Sequence, residues 1–180
     1  EIAPTRSNGL AVVDLDNDGL LDLVVGSDQN LNPGQVWTFK NVGGGIFEPA
    51  VTVATTGWKP YLIQPGDLNN DGFMDAVVAV WFGNQLIVLL NDGTGALSPL
   101  APLSSPRPFG LTVADFDADG FQDVVTVSSS AQSITMWSGD GTGALSPGTT
   151  VPTPGSRGQV AAADLTNDGT LDLLVGAYWT

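Results

Sequence analysis

A short acidic motif, D-x-[D/N/T]-x-D-G-x-x-D, occurs four times in the chain and constrains its fold more than any other feature. The copies begin at Asp14, Asp67, Asp115 and Asp164. Each places side-chain oxygens at positions 1, 3, 5 and 9 and a glycine at position 6. Ca²⁺ takes about 6–8 oxygen ligands, and glycine permits the left-handed turn that curls a loop around an ion. The motif therefore predicts four calcium loops.

The predicted ligands of each loop are its side-chain oxygens and the backbone carbonyl at position 7. They are Asp14, Asp16, Asp18, Leu20 and Asp22; Asp67, Asn69, Asp71, Phe73 and Asp75; Asp115, Asp117, Asp119, Phe121 and Asp123; and Asp164, Thr166, Asp168, Thr170 and Asp172. A single copy would equally suit a polar turn, because Asp, Asn and Gly are common turn residues. Four copies in phase favour metal binding, and Mg²⁺ fits less well because it demands a stricter octahedron and retains its waters.

The acidity of the chain is concentrated in these loops, which hold most of its 19 acidic residues; the net charge is −14. We expect metal binding to be coupled to folding, because the carboxylates repel one another without a cation. The charge disfavours nucleic acid and anionic membranes as partners. The chain has no Cys or His and starts without Met at Glu1. These features suit a mature or excised segment of an extracellular, cell-surface or periplasmic protein, and they exclude most nucleophile and soft-metal chemistry.

The loops recur about every fifty residues, and a Gly-rich turn recurs in the same phase at residues 41–49, 91–99 and 139–147. The expected repeat units are residues 7–56, 57–105, 106–154 and a partial 155–180. Each unit has strand-like apolar runs and no sustained helical periodicity. The first predicted strands are Leu10–Val13, Tyr61–Ile63, Leu111–Ala114 and Val160–Ala163, and the second are Leu23–Val25, Ala76–Val80, Val124–Val127 and Leu173–Val175. The third are Gln35–Lys40, Gln85–Leu90 and Ser133–Ser138, and the fourth are Ala50–Thr55, Leu97–Leu103 and Leu145–Val151.

Four antiparallel strands repeated at this period predict an all-β fold, a β-propeller with about three and a half blades in this chain. The segments RPFGLTVADFDADGFQDVVTV (residues 107–127) and GDGTGAL (residues 139–145) also resemble the FG-GAP/VCBS repeat family, which is similar to the calcium-loop blades of the integrin α-chain head. The resemblance implies a propeller, commonly seven-bladed, with Ca²⁺ in the hairpin between strands 1 and 2. Asn69 and Thr166 each remove a charge, so we expect weaker binding at the second and fourth sites.

Three blades and a half cannot close a ring, so we expect a piece of a longer propeller, or alternatively self-association with a second copy. Four basic residues, Arg6, Lys59, Arg107 and Arg157, precede their loops by seven or eight residues. At about 3.3 Å per residue this puts them at the opposite end of strand 1. They predict either a ring that binds an anion or an acidic partner, or, more simply, solvated charges.

The sequence lacks enzyme motifs. Paired carboxylates can hydrolyse glycosides, but the clustered carboxylates of this chain are assigned to metal. The main hypothesis is therefore a non-catalytic, calcium-binding propeller segment for protein interaction, adhesion or scaffolding. The alternative is a glycan-binding module, or the propeller of a polysaccharide-acting enzyme whose catalytic residues lie elsewhere.

Overall fold

The structure is a computed structural model that describes residues 7–27, 34–55, 59–153 and 158–176. Over these residues it contains only strands, turns and irregular segments, and none of them forms a helix capable of crossing a membrane. The strands are β1 (Ser7–Val13), β2 (Asp22–Ser27), β3 (Gln35–Phe39), β4 (Val51–Thr55), β5 (Pro60–Gly66), β6 (Asp75–Val80), β7 (Gln85–Asn91), β8 (Leu97–Pro99), β9 (Leu103–Ser104), β10 (Pro108–Ala114), β11 (Asp123–Ser128), β12 (Ser133–Gly139), β13 (Leu145–Pro152), β14 (Val160–Ala163) and β15 (Asp172–Val175).

These strands form antiparallel meanders that follow the sequence repeat. The sheet orders are β1-β2-β3-β4, β5-β6-β7-β8 with β9 also on β7, β10-β11-β12-β13 and the pair β14-β15. The first strands of successive sheets contact one another, β1 with β5, β5 with β10 and β10 with β14. The prediction of propeller-type blades, three complete and one partial, is confirmed.

The predicted fourth strand of the second unit, Leu97–Leu103, was wrong as a continuous element. It is split into β8 and β9, and the pairing with β7 shifts by one residue between them. Pro102 lies in the gap, and proline has no N–H to donate to a ladder. The other two fourth strands carry a comparable shift but remain continuous.

The first strands of the three complete blades begin earlier than predicted, at Ser7, Pro60 and Pro108, because a polar residue or proline at the first position gives no apolar signal. A β-bulge interrupts each of these beginnings, at Ser7/Gly9, Pro60/Leu62 and Pro108/Gly110. The bulged residues of the second and third blades are Tyr61 and Phe109. A bulge adds one unpaired residue and redirects its side chain.

The core lies between neighbouring sheets. The second strands β6 and β11 are buried along their whole length, as the continuous apolar runs predicted. One apolar cluster joins the first and second sheets, another joins the second and third, and a third joins the third and fourth. Each fully buried Val or Leu stabilises the fold by about 1.5–3 kcal/mol, so the blades stabilise one another by stacking.

The outermost sheets expose positions that the inner sheets bury. Leu10 on β1 is 59% exposed, whereas Ile63, its equivalent on β5, is 4% exposed. At the other end Leu174 on β15 is 62% exposed, and its equivalent Val125 on β11 is fully buried. Both outer faces therefore have the apolar character of a blade-to-blade interface.

Candidate metal centres

The four acidic loops join the first strand of each sheet to its second strand, so they lie at one end of the stack. Loop 1 connects β1 to β2, loop 2 connects β5 to β6, loop 3 connects β10 to β11 and loop 4 connects β14 to β15. The hairpin position implied by the resemblance is therefore observed in all four repeats.

A shared backbone turn gives the loops their shape. The glycine at position 6 has a φ of 86°, 88°, 92° and 87° in loops 1 to 4. The residue at position 4 is also left-handed, at Asn17 (57°), Asn70 (60°), Ala118 (61°) and Asn167 (57°). Asn tolerates this conformation better than other non-glycine residues, so Ala118 is the one strained member of the set.

The carboxylate at position 1 organises the turn by accepting backbone N–H groups. In loop 1, Asp14 Oδ1 accepts from Asp18 N at 3.2 Å and Oδ2 from Gly19 N at 2.9 Å. Loops 2 and 4 repeat both bonds. In loop 3, Asp115 Oδ2 accepts from Gly120 N at 3.0 Å, while its Oδ1 is buried without a hydrogen-bond partner.

Positions 5 and 7 form a second internal contact. The N–H of Leu20, Phe73, Phe121 and Thr170 donates to the position-5 carboxylate of its own loop at 2.8–2.9 Å. The N–H groups at position 7 thus close the turn on the same carboxylates that were predicted to bind metal. In loop 2, Asn69 Nδ2 donates to Asp71 Oδ2 at 2.8 Å, so its amide occupies the carboxylate instead of adding a charge.

The carboxylate at position 9 has a structural role that the motif did not reveal. Asp75 is fully buried; its Oδ2 accepts from Leu68 N at 2.9 Å and its Oδ1 from Asn91 N, at the end of β7, at 2.8 Å. Asp22 and Asp123 make the same pair of bonds. Burial raises the pKa of Asp75, and the two backbone donors oppose that rise. Position 9 therefore ties the loop to the third strand, in addition to its predicted role as a metal ligand.

The donor set fits a hard cation best in loops 1 and 3. The carboxylate oxygens of Asp14, Asp16 and Asp18 can lie within 4.8 Å of one another, and so can those of Asp115, Asp117 and Asp123. One oxygen in each group, Asp16 Oδ1 and Asp115 Oδ1, is buried without a hydrogen-bond partner.

The electrostatics of loop 3 point the same way. Desolvation, followed by repulsion from Asp123 and Asp119, raises the pKa of Asp117. A bound cation would remove that repulsion. Buried oxygens that lack a donor and carboxylates that repel one another are what Ca²⁺ would satisfy.

Loop 1 also holds a basic side chain that the motif analysis missed. Lys40, just after β3, pairs with Asp16 and lies 3.8 Å from Asp18 Oδ2. The hydrogen bond from Lys40 lowers the pKa of Asp16. The equivalent residues in the next two repeats are Leu90 and Ser138, which carry no charge. The presence of a basic residue at this position in the first repeat alone was therefore the sequence signal for this contact.

The loops also form the contacts between blades at this end. Asn91 Nδ2, in the second blade, donates to the carbonyl of Leu15 in loop 1 at 2.6 Å. Gly143 N, in the Gly-rich turn of the third blade, donates to the carbonyl of Leu68 in loop 2 at 2.9 Å. The recurrent Gly-rich turn is thus seated on the acidic loop of the preceding blade.

Two of the four predicted basic residues, Lys59 and Arg107, lie away from these loops. Lys59 and Arg107 directly precede β5 and β10, at the end of the stack opposite the acidic loops, as their spacing predicted. Arg6 and Arg157 lie outside the described residues. Anion binding by these residues stays a prediction.

Comparison with known proteins identifies the repeat. A family model described as the FG-GAP-like repeat matches residues 14–78 and 115–175, which together make up more than half of the chain. Each match begins at the first Asp of an acidic loop and ends in or beside the second strand of the next repeat. A search of curated proteins finds no match. The chain belongs to the FG-GAP-like repeat family and is an all-β, propeller-type module of the kind used for protein interaction.

Proposed function

We propose that this chain is a calcium-binding, non-catalytic interaction segment that works outside the cytoplasm, in an extracellular, cell-surface or periplasmic protein. The observation that carries the proposal is the convergence of three carboxylates in loops 1 and 3, each group with one buried oxygen that lacks a donor. Positions 1, 3, 5 and 9 and the carbonyl at position 7 would hold the ion. Calcium would neutralise the carboxylates and lock each hairpin.

The proposed location outside the cytoplasm agrees with the number of carboxylates in the acidic loops. Loops 2 and 4 each lack one carboxylate. Fewer ligand charges weaken calcium binding, and extracellular modules use weak sites with a Kd of about 10⁻⁴–10⁻³ M. The non-catalytic role agrees with carboxylates that are already engaged by backbone N–H groups of their own turns.

The exposed outer faces suggest the immediate partner. Leu10 and Leu174 occupy positions that a neighbouring blade covers elsewhere in the stack. The occupant we propose is a further blade of the same type, because only such a blade repeats the apolar surface that covers Ile63 and Val125. Sedimentation of the 180-residue chain at increasing concentration distinguishes two sources of this further blade. A blade that belongs to a longer chain predicts a monomer, whereas a blade of a second copy predicts association.

Thermal unfolding with and without calcium tests the metal proposal. Each independent site stabilises the fold by about 2.7 kcal/mol when free calcium is about 100 times its Kd. We expect a clear fall in Tm with excess EDTA, restored by calcium and only weakly by magnesium. An unchanged melting curve in EDTA would overturn the proposal.

A pair of variants assigns the effect to the loops. Asp117→Asn removes the charge of a predicted ligand of loop 3 and should reduce the calcium-induced rise in Tm. Asp140→Asn changes an Asp of the same blade in the Gly-rich turn, where its carboxylate binds Thr142. This control should keep the full calcium-induced rise, whatever it does to the starting Tm.

A further inference from the structure

The end of the stack opposite the acidic loops carries a cluster of rings and cations between the second and third blades. We call it the aromatic–basic patch; its members are Lys59, Tyr61, Trp81, Phe82, Arg107 and Phe109. They lie at the beginnings of β5 and β10 and just after β6.

The rings form one continuous surface across the blade boundary. Tyr61 and Phe109, the two bulged residues, have ring centroids 4.9 Å apart. Trp81 stacks on Phe82 at 4.4 Å and meets Phe109 edge-on at 5.7 Å. The indole N–H of Trp81 donates to Ser129 Oγ of the third blade at 3.0 Å. The patch is therefore built by the fold, because two bulges and a cross-blade hydrogen bond fix its rings.

The two cations are held over these rings. Lys59 Nζ lies 5.1 Å from the Trp81 ring centroid and 5.5 Å from that of Phe82, and Arg107 Cζ lies 6.0 Å from the centroid of Phe82. Both cations thus flank one ring that is 45% exposed. Within the described part of the chain, neither cation pairs with a carboxylate.

The backbone under both cations is constrained. Lys59 and Arg107 have a φ of 69° and 39°, each directly before a proline. The carbonyl of Lys59 accepts from Trp81 N at 3.1 Å, and the carbonyl of Arg107 accepts from Ser129 N at 3.0 Å. Left-handed backbone at a residue that is not glycine is sparsely populated and persists when its surroundings hold it. The two positive charges are therefore presented from fixed points.

Among the described residues, the two cations of the patch lie far from the acidic loops. In the described ranges, every Asp and Glu lies in the acidic loops, in the Gly-rich turns or at Glu48 near loop 1. A seven-residue first strand separates the loops from the patch by about 23 Å. That distance exceeds the screening length of about 10 Å at 0.1 M salt, so the loop carboxylates do not cancel the two cations.

The chemistry of the patch matches an acidic sugar. The half-buried rings of Tyr61, Trp81 and Phe109 offer flat apolar surface suited to the C–H face of a pyranose. Lys59 and Arg107 offer charge-assisted hydrogen bonds to a carboxylate. We propose that the aromatic–basic patch binds a uronate-bearing oligosaccharide. This inference rests on the proposed function, because it names the partner of the proposed interaction module.

Calorimetric titration of the calcium-loaded chain with a hexasaccharide of alternating glucuronate and N-acetylglucosamine tests this inference. The matched ligand is the same hexasaccharide with its carboxylates reduced to primary alcohols. We expect saturable binding of the acidic ligand and binding about tenfold weaker for the reduced one. Equal affinity for the two, or no binding of the acidic ligand, would contradict the inference.

Variants separate the patch from the rest of the surface. Phe82→Ala and the double change of Lys59 and Arg107 to Gln should each weaken binding about tenfold. Lys40→Gln removes a cation at the opposite end and should leave the affinity unchanged; an equal loss in this control would refute the patch. A glutamate hexapeptide that competes as well as the acidic sugar would show that charge alone is recognised and would also refute it.

The two proposals fail independently in these experiments. The calcium-dependent Tm of each variant shows whether it is folded and loaded. A normal calcium response without glycan binding rejects only the patch. Glycan binding without any calcium response rejects only the metal proposal.

Discussion

Replacing Ala118 with Asn should stabilise the protein, because this change gives loop 3 the residue that the other loops use at the same position. Ala118 has a φ of 61°, within a few degrees of Asn17, Asn70 and Asn167. The left-handed conformation costs an ordinary L-residue about 1–2 kcal/mol, and Asn relieves part of this cost through local hydrogen bonding. We expect Ala118→Asn to gain about 1 kcal/mol, which raises the Tm of a chain of this size by about 2–4 °C.

The assay is thermal unfolding in EDTA, where metal binding does not contribute. The reverse change, Asn70→Ala, should lower the Tm by a similar amount. Asn17 is a poorer control because its Nδ2 also donates to the carbonyl of Gly72 in loop 2 at 3.2 Å. If Ala118→Asn leaves the Tm unchanged while Asn70→Ala lowers it, backbone conformation is not what makes Asn favourable here. With calcium present, the Asn variant should bind metal at least as tightly, because its loop is better preorganised.

Two further changes probe the acidic end of the stack. Lys40→Gln should tighten calcium binding at loop 1, because an ammonium group no longer competes for the carboxylates; calorimetric titration measures this, and Lys59→Gln at the opposite end should have no effect. Asn91→Ala removes buried hydrogen bonds, including the one to the Leu15 carbonyl of the preceding blade, and should cost about 2–3 kcal/mol in urea unfolding. Asn41→Ala should cost less, because the hydrogen bonds of Asn41 to described residues lie within its own blade; equal losses would show that the contact between blades contributes little.

The repeat architecture was predictable because its signals are local. Alternation of an apolar run, an acidic loop and a second apolar run within about twenty residues requires a hairpin, whatever surrounds it. The left-handed glycine at position 6 follows in the same way, because φ at Gly19 and its equivalents is set by the turn itself. Contacts that join residues far apart left weaker marks. The bond from Asn91 to Leu15 spans 76 positions, and the sequence hinted at it only through the Asn that begins the Gly-rich turn in the first two repeats, at Asn41 and Asn91.

Position 9 shows how a motif can conceal a second role. Its Asp was predicted as a metal ligand, and the oxygens of Asp123 do lie with those of Asp115 and Asp117. Yet both oxygens of Asp75 already accept backbone N–H groups from two different parts of the blade. A spacing pattern describes which residues recur, and burial decides how many tasks each one has. This carboxylate should therefore matter for folding even when no metal is bound.

The positions that repeat and the positions that do not repeat separate structure from recognition. The acidic loops, the Gly-rich turns and the buried second strands occur in every complete blade, so their role is to build and join blades. Trp81 has Ser129 as its equivalent in the third blade, and the two form a hydrogen bond across the boundary. The second repeat therefore carries a half-buried indole and the exposed ring of Phe82 where the third repeat has Ser129 and Ser130. Because the metal loops would make all blades alike, we expect a specific partner to be recognised through departures from the repeat, and Trp81 and Phe82 are such departures within the aromatic–basic patch.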